Sequence, residues 1–238
     1  MPRRPLIAAN WKMNPVPEGA LEHDSPYQTH SAVDVMVFAT ALHLKKCIEA
    51  KLITGGQFGH PEEKGAHTGD VSMAMLDEEG CRSVLCGHSE RRKDHKETND
   101  FVIEQVIAAL EKNIHPIICV GETEEERDAG KEKEVVAEQL KQLPKEAEVT
   151  IAYEPVWAIG TGKSASPKQA QEMHKYIRSL IPEDRRDSIR ILYGGSMNSE
   201  NAEELLSQPD IDGGLIGSAA LKPDEFKKIV EIAEKLYT

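Results

Sequence analysis

The strongest constraint on the fold is a regular alternation of short apolar runs with longer segments of helical periodicity. Such alternation is typical of a parallel sheet whose strands are joined by crossover helices. The 238 residues provide about 30 for each run and its connection, which matches the length of a strand with its crossover helix. We therefore predict an α/β protein with one domain, residues 1–238, folded as a closed (β/α)8 barrel. The eight predicted strands are 6–9, 33–38, 52–56, 83–86, 115–120, 149–153, 189–193 and 214–217.

The connecting segments contain three clear helix predictions, at 99–112, 167–180 and 223–236. The last two begin with proline, which is favoured at the first position of a helix. The first connection differs, because three prolines and a glycine interrupt residues 15–32. Proline inside a helix removes a hydrogen bond and clashes with the preceding turn. We expect a shortened or irregular first crossover helix.

Composition excludes several partners. The chain has 29 Lys and Arg against 41 Asp and Glu, a formal net charge of −12. Sequence-independent binding to nucleic acid or to an anionic membrane would lack its electrostatic source. No apolar run approaches the ~18 residues of a membrane helix. The four cysteines lack the C-x-x-C spacing and the density of a disulfide scaffold. We expect a cytoplasmic protein with reduced thiols.

Polar and glycine-rich segments follow five of the predicted strands. In a (β/α)8 barrel the functional groups cluster at the carboxyl ends of the strands. A carboxylate, a histidine, an amide, a cation and glycine-rich turns would meet there, which is typical of an acid/base enzyme acting on an anionic substrate. These segments are Asn10-Trp11-Lys12, Gly87-His88-Ser89-Glu90-Arg91-Arg92, Glu154-Pro155, Gly194-Gly195-Ser196 and Gly217-Ser218.

The glycine-rich turns after the last two strands indicate a phosphate site. In such barrels this site is built from backbone N–H groups, and glycine lets the backbone come close to the anion. A site of this kind needs few cations, which reconciles an anionic ligand with an acidic chain. Lys12 would supply the local positive charge. The turns could also serve only to reverse the chain.

Residues 155–165, P-V-W-A-I-G-T-G-K-S-A, have the length and composition of a lid that closes over a site and excludes water. Residues 162–164 resemble the end of a nucleotide-binding P-loop, but that motif requires glycine where Trp157 stands. The dinucleotide pattern that starts at Gly160 fails because Ala165 replaces its last glycine. We predict no nucleotide cofactor.

Metal ligation is not indicated by the histidine spacing. His23, His30, His60 and His67 lack the i, i+4 spacing of a helical metal pair, so we interpret them as surface residues and predict no metal. Single candidates for catalysis also have structural interpretations. A carboxylate after a strand can form an ion pair, and a lone histidine is often a hydrogen-bonded core residue.

The chain resembles the triosephosphate isomerase family over nearly its whole length. The resemblance implies a TIM barrel that interconverts dihydroxyacetone phosphate and D-glyceraldehyde 3-phosphate, in central carbon metabolism, without a cofactor or metal. The matching stretches are residues 8–14 (AANWKMN), 65–70 (GAHTGD), 87–92 (GHSERR), 121–123 (GET), 152–163 (AYEPVWAIGTGK) and 193–196 (YGGS).

The resemblance also implies roles for single residues. Glu154 is similar to the base that moves a proton between two substrate carbons, and His88 to the neutral imidazole that polarises the carbonyl. Lys12 would stabilise enediolate and phosphate charge, and Asn10 would donate a hydrogen bond to a substrate oxygen. Ser89 and Glu90 would orient these groups, and Tyr193 would hold the closed lid. The substrate phosphate would be bound by the backbone N–H groups of Gly160, Ser196, Gly217 and Ser218. Glu97 resembles a buried structural acid of the family.

The sequence departs from the family at a few places. Ser218 and Ala220 stand where glycine and serine are usual, and Phe58 stands where asparagine is usual.

The family forms homodimers, and the resemblance implies a homodimer through the loop 58–70, in which Thr68 would reach the partner's Asn10. Two alternative functions remain. The chain could be an isomerase of another phosphorylated sugar, or an inactive scaffold or binding protein that has kept the barrel fold. The lid and the His88 motif favour the triose phosphate substrate.

Overall fold

Eight parallel strands pair in sequence order and close into a barrel, as predicted. The fold is taken from a computed structural model, which describes residues 3–30, 32–159 and 164–238. Each strand pairs with the next along the chain, and β1 pairs with both β2 and β8. The strands are β1 (Leu6–Asn10), β2 (Asp34–Ala39), β3 (Thr54–Gly56), β4 (Ser83–Cys86), β5 (His115–Val120), β6 (Thr150–Tyr153), β7 (Ile191–Tyr193) and β8 (Gly213–Ile216).

Helices surround the barrel and connect successive strands from β2 onward. None in the described ranges combines the length and apolar character that crossing a bilayer requires. The helices are α1 (Leu44–Glu49), α2 (Met73–Glu79), α3 (Ser89–Asp94), α4 (Asn99–Glu111), α5 (Glu124–Asp128), α6 (Glu132–Leu140), α7 (Pro167–Leu180), α8 (Ala202–Leu206) and α9 (Pro223–Tyr237).

The first connection contains no helix within its described residues 11–30 and 32–33, which confirms the predicted irregular crossover. Aromatic packing covers the barrel here instead. The Tyr27 ring is fully buried, stacks on Phe226 of α9 at 4.7 Å between centroids, and meets the edge of Trp11 at 5.3 Å. Burial of aromatic rings provides much of the apolar contact that a helix would supply.

Two layers of apolar side chains form the core. Alternate residues of each strand point to opposite sides, so that Leu6 and Ala8 belong to a small inner cluster while Ile7 and Ala9 pack outward against the helices. Phe38 fills the barrel beside Gly55, where an added Cβ would lie 2.4 Å from the Phe38 ring. The filled interior leaves the carboxyl ends of the strands as the place for a site.

Candidate active site

A cavity of about 740 Å³ opens at the carboxyl ends of the strands. It brings together most of the residues that the sequence singles out, from turns that follow five different strands. Gly160, a predicted phosphate ligand, lies outside the described residues. The predicted residues that line the cavity are Asn10, Lys12, His88, Glu154, Ser196, Gly217 and Ser218.

Glu154 follows β6 and is only 2% exposed. Its Oε2 accepts a 2.8 Å hydrogen bond from the backbone N–H of Ser89, and its Oε1 lies 3.0 Å from Nε2 of His88. The chain packs closely against this side chain, since a Cβ on Gly194 would lie 2.8 Å from Cγ of Glu154. Ser89, predicted to orient the catalytic groups, thus contacts the carboxylate through its backbone.

His88 is the N-cap residue of α3. Its Nδ1 accepts a 3.2 Å hydrogen bond from the backbone N–H of Glu90. A ring nitrogen that accepts carries no proton, so the neutral imidazole has its proton on Nε2, the atom that faces Glu154. Nε2–H is therefore available as a hydrogen-bond donor toward the cavity.

Lys12 has a positive φ of 50°, a conformation that is uncommon for a residue with a side chain. Three contacts hold it there. Its N–H donates to Oδ1 of Asn10 at 3.0 Å, its carbonyl accepts from Nε2 of Gln57 at 2.9 Å, and its Nζ lies 2.6 Å from Oε1 of Glu90. The sequence analysis missed Gln57, although this residue directly follows β3 at the rim where functional groups were expected.

Glu90 connects the cation to the imidazole. Its other oxygen, Oε2, lies 3.7 Å from Nδ1 of His88. Partial burial acts to raise the pKa of Glu90, but the hydrogen bond and charge of Lys12 lower it overall. The carboxylate therefore stays ionised and holds the ammonium group in place.

The two glycine-rich turns lie side by side at the cavity wall. Lys12 passes close to Gly217, where an added Cβ would lie 3.2 Å from Cε of the lysine. Ser218 begins a 3-10 turn, Ser218–Leu221, which leads into α9. In the neighbouring turn after β7, Oγ of Ser196 donates a 2.8 Å hydrogen bond to the carbonyl of Ala158. Neutral backbone and one lysine thus meet at the predicted phosphate position.

The predicted lid, residues 155–165, is anchored at both described ends. At its start, Nε1 of Trp157 donates to Oε1 of Glu122 at 2.8 Å, and Glu122 also accepts from the hydroxyl of Tyr153 at 3.0 Å. At its end, the N–H of Ala165 donates to the hydroxyl of Tyr193 at 3.3 Å. Burial raises the pKa of Tyr193 to about 12, so this hydroxyl remains neutral. Residues 160–163 lie outside the described residues.

Lys222 and Lys228 also line the cavity, beyond the turn that follows β8. The sequence analysis assigned the positive charge to Lys12 alone. Lys222 directly precedes α9 and Lys228 lies within it, so the position of both lysines at the cavity depends on how this helix packs against the barrel. Glu200 and Glu225 line the same part of the cavity, so two carboxylates balance these two lysines there.

The prediction that His60 is a surface residue is wrong. His60 is only 8% exposed. The centroid of its ring lies 3.9 Å from that of His67, and its Nε2 lies 4.0 Å from Oδ2 of Asp70. The loop folds back so that the N–H of His60 donates to the carbonyl of Val71 at 2.8 Å. Only the tertiary course of this loop buries the ring.

Ligand atoms of His60, His67 and Asp70 all lie within 4.8 Å of one another, close enough for a metal ion. However, Nδ1 of His60 accepts a 3.1 Å hydrogen bond from the N–H of Glu62. This places the proton of the neutral ring on Nε2, the atom that faces Asp70. Metal ligation by Nε2 would require its proton to leave, so the donor set is poorly prepared for a cation.

Phe58 packs against Arg91 of α3. Its ring lies under the guanidinium of Arg91 at 3.9 Å, and Arg91 forms a 2.7 Å ion pair with Glu97. Glu97 is 8% exposed, as the resemblance implies. The substitution at position 58 therefore acts on this ion pair, and Gln57 supports Lys12.

A buried carboxylate, an imidazole and a lysine at the rim of a (β/α)8 barrel are typical of an enzyme of the barrel class. Comparison with known proteins specifies the family. Residues 5–233 match the family model described as triosephosphate isomerase. The chain belongs to the triosephosphate isomerase family and is an isomerase.

Relatives named triosephosphate isomerase match the chain over almost its full length. The protein of Herminiimonas arsenicoxydans is 44% identical over 252 residues, covering 97% of this chain and 100% of the relative. That of Alkalilimnicola ehrlichii is 45% identical over 249 residues, with 97% and 99% covered. That of Paracidovorax citrulli is 45% identical over 254 residues, with 98% and 100% covered.

Proposed function

We propose that the chain interconverts dihydroxyacetone phosphate and D-glyceraldehyde 3-phosphate by proton transfer through an enediolate. The observation that carries this proposal is the pairing of Glu154 Oε1 with His88 Nε2 at 3.0 Å in a cavity that Lys12 also lines. A base and a hydrogen-bond donor that face the same point can act on adjacent atoms of one substrate.

The steps follow from the chemistry of these groups. Glu154 takes a proton from the carbon next to the substrate carbonyl. The electron pair of that C–H bond forms a C=C bond to the carbonyl carbon, and the π pair of the carbonyl moves to its oxygen. His88 donates a hydrogen bond from Nε2 to this oxygen, and Asn10 donates another from its amide. His88 then gives its Nε2 proton to the former carbonyl oxygen and takes the proton of the neighbouring hydroxyl. The protonated carboxyl of Glu154 returns its proton to the former carbonyl carbon, and the neighbouring carbon becomes the new carbonyl. Lys12 stabilises the negative charge of the enediolate.

The substrate phosphate is held mainly by backbone N–H groups. Gly217 and Ser218 contribute from the turn after β8, Ser196 from the turn after β7, and Gly160 from the lid. Neutral amides aimed at one point bind an anion without many cations, and the side chain of Lys12 passes beside Gly217. The assignment of Gly160 is supported by the family resemblance alone.

The lid serves to exclude water from the enediolate, which would otherwise lose phosphate. The anchored ends support this role, because Trp157 is bound to Glu122 and Ala165 to Tyr193. Closure also strengthens the electrostatic contacts inside the site. The chemistry needs no cofactor or metal.

We further propose a homodimer through the loop 58–70, in which Thr68 reaches the partner's Asn10. Two large apolar side chains support this interface. Met13 is 92% exposed in the connection after β1, and Leu42 is 87% exposed after β2. These connections adjoin the loop after β3, since the three strands are neighbours. Two large exposed apolar side chains on neighbouring connections support an interface on this side of the barrel.

We place the enzyme in the cytoplasm. All four cysteines are buried and form no disulfide, which fits a reducing compartment.

The proposed activity is tested with purified protein and a chelator in the buffer. Each of the two triose phosphates is supplied in turn as the substrate, and the product is detected by NMR. Interconversion in both directions is expected, with no added metal or nucleotide. A phosphorylated pentose or hexose tested in parallel is expected to give no product. Turnover of that larger sugar without turnover of the trioses would favour another phosphorylated substrate.

A further inference from the structure

A tyrosine from the irregular first connection reaches the turn after β8. The hydroxyl of Tyr27 donates a 2.8 Å hydrogen bond to the backbone carbonyl of Ala220. Ala220 belongs to the 3-10 turn Ser218–Leu221, whose first residue lines the active-site cavity. The segment that takes the place of a helix is therefore joined directly to the turn that we assign to the substrate phosphate.

The position of Tyr27 is fixed from two sides. Its ring is fully buried, stacks on Phe226 with 14° between the planes, and meets the edge of Trp11. Phe226 lies in α9, which follows the turn, and Trp11 lies between Asn10 and Lys12. Burial raises the pKa of the Tyr27 hydroxyl. The hydroxyl therefore remains protonated and able to donate at neutral pH.

Backbone hydrogen bonds connect the turn to the residues on either side of it. The N–H of Ala220 donates to the carbonyl of Gly217 at 2.9 Å, and the N–H of Lys222 donates to the carbonyl of Ala219 at 3.2 Å. The carbonyl of Ala220 is satisfied by Tyr27. A buried carbonyl that loses its partner is costly, so loss of the hydroxyl favours rotation of this peptide unit. Such rotation would displace the neighbouring amides of the turn.

We infer that Tyr27 is a positioning residue for the phosphate-binding turn, holding Ser218 and Gly217 in the orientation that grips the substrate phosphate. The inference rests on the proposed phosphate site. It assigns to the irregular first connection a function in substrate binding in addition to covering the barrel. Tyr27 acts through the backbone of Ala220 and has no contact with the reacting carbons.

The test compares Tyr27→Phe with a matched control, Tyr237→Phe. The hydroxyl of Tyr237 also bonds a backbone carbonyl, that of Ile211 at 3.4 Å, but just before β8, at the opposite end of the barrel. The readouts are KM, kcat and the inhibition constant of inorganic phosphate. In Tyr27→Phe, KM and the inhibition constant are expected to rise together by about three- to tenfold, the range of one lost hydrogen bond. In Tyr237→Phe both stay within about twofold.

A merely structural role would give a different pattern, because partial unfolding lowers the apparent kcat and leaves the KM of the folded fraction unchanged. Phe226→Leu is a second variant that keeps the hydroxyl and removes the stacked ring. It is expected to raise the phosphate inhibition constant by a smaller factor. Amide hydrogen exchange gives a readout without turnover, with faster exchange expected at residues 217–221 in Tyr27→Phe and unchanged exchange at 195–197.

The outcomes separate the two proposals. Wild-type protein that converts no triose phosphate contradicts the proposed function, and phosphate titration with hydrogen exchange still tests Tyr27. Tyr27→Phe with wild-type phosphate affinity and wild-type exchange at 217–221 overturns the role of Tyr27 and leaves the isomerase proposal intact.

Discussion

Nε2 of His88 and Oε1 of Glu154 lie 3.0 Å apart, at the ends of two strands that are not neighbours in the barrel. Each side chain is fixed by a second contact from the same short segment. The N–H of Ser89 bonds the carboxylate at 2.8 Å and the N–H of Glu90 bonds the imidazole at 3.2 Å. The start of α3 therefore orients both the proposed base and the proposed donor.

Replacement of His88 by Gln is expected to lower kcat by about 10²- to 10⁴-fold, the usual contribution of a positioned acid or base. The physical reason is loss of the imidazole, which can both donate from Nε2 and exchange protons with the substrate oxygens, whereas the amide of glutamine can only donate a hydrogen bond. Steady-state kinetics checks this prediction, with His115→Gln as the control. His115 is the first residue of β5 and bonds Thr150, the first residue of β6, and it is not among the residues that line the cavity. Equal losses in both variants would contradict a specific role for His88.

Replacement of Lys12 by Ala is expected to lower kcat/KM by at least about 10²-fold, because the developing enediolate charge loses its cation. Lys228→Ala is the matched control, as this lysine lines the same cavity but is 61% exposed. Its kcat/KM is expected to stay within about fivefold of wild type. A Lys12→Ala enzyme with wild-type kcat/KM would refute the electrostatic assignment.

The proposed dimer is tested by placing a charge at Leu42, one of the two exposed apolar side chains that support the interface. Leu42→Lys is expected to raise the dimer dissociation constant by at least about tenfold, because a buried lysine without a partner is costly at an interface. Sedimentation measures this, with Leu180→Lys as control on α7, where the leucine is 40% exposed. Wild-type protein that sediments only as a monomer at micromolar concentration would exclude the dimer.

Acid is expected to destabilise the fold partly through His174. Burial lowers the pKa of His174 to about 3, from an ordinary value of 6.5. The unfolded chain therefore binds a proton that the native protein does not, and stability present above pH 6.5 is lost as the pH falls toward 3. In His174→Gln, the slope of unfolding free energy between pH 4 and 6 is expected to fall by about 1.4 kcal/mol per pH unit.

Denaturant unfolding at several pH values checks this prediction. His23→Gln serves as control because His23 is exposed. The slope is compared, rather than the absolute free energy, because the substitution at a packed site also removes contacts with Tyr153 and Tyr193. An unchanged slope in His174→Gln would mean that this histidine is not held neutral in the native protein.

Sequence patterns predicted the parts of the fold that depend on local interactions. Helix α7 has the predicted bounds, since the side chain of Ser166 caps it and Pro167 occupies its first position. Strands β4 and β5 also begin and end as predicted. Strand β3 is shorter than predicted because the N–H of Leu52 bonds the carbonyl of Cys47, which keeps this residue with the preceding helix.

The features that sequence reasoning missed depend on distant contacts. The burial of His60 results from the return of its loop to Val71, and the role of Gln57 results from its reach across β2 to Lys12. The contact of Tyr27 with Ala220 joins residues 193 positions apart. No local pattern encodes such pairings. Most of the predicted site residues line one cavity because the barrel gathers the ends of its strands, which is a property of the fold class.

The central claim is that the carboxylate of Glu154 carries a proton between two substrate carbons. Glu154→Gln keeps the shape of the side chain and removes the base, and Glu200→Gln is the control, since this exposed residue lines only the outer cavity. The measurement is the rate at which deuterium from D2O enters carbon-bound positions of the triose phosphates, followed by NMR. Wild type and Glu200→Gln are expected to exchange at similar rates, and Glu154→Gln about 10²- to 10⁴-fold more slowly. A folded Glu154→Gln protein that exchanges at the wild-type rate would contradict the account.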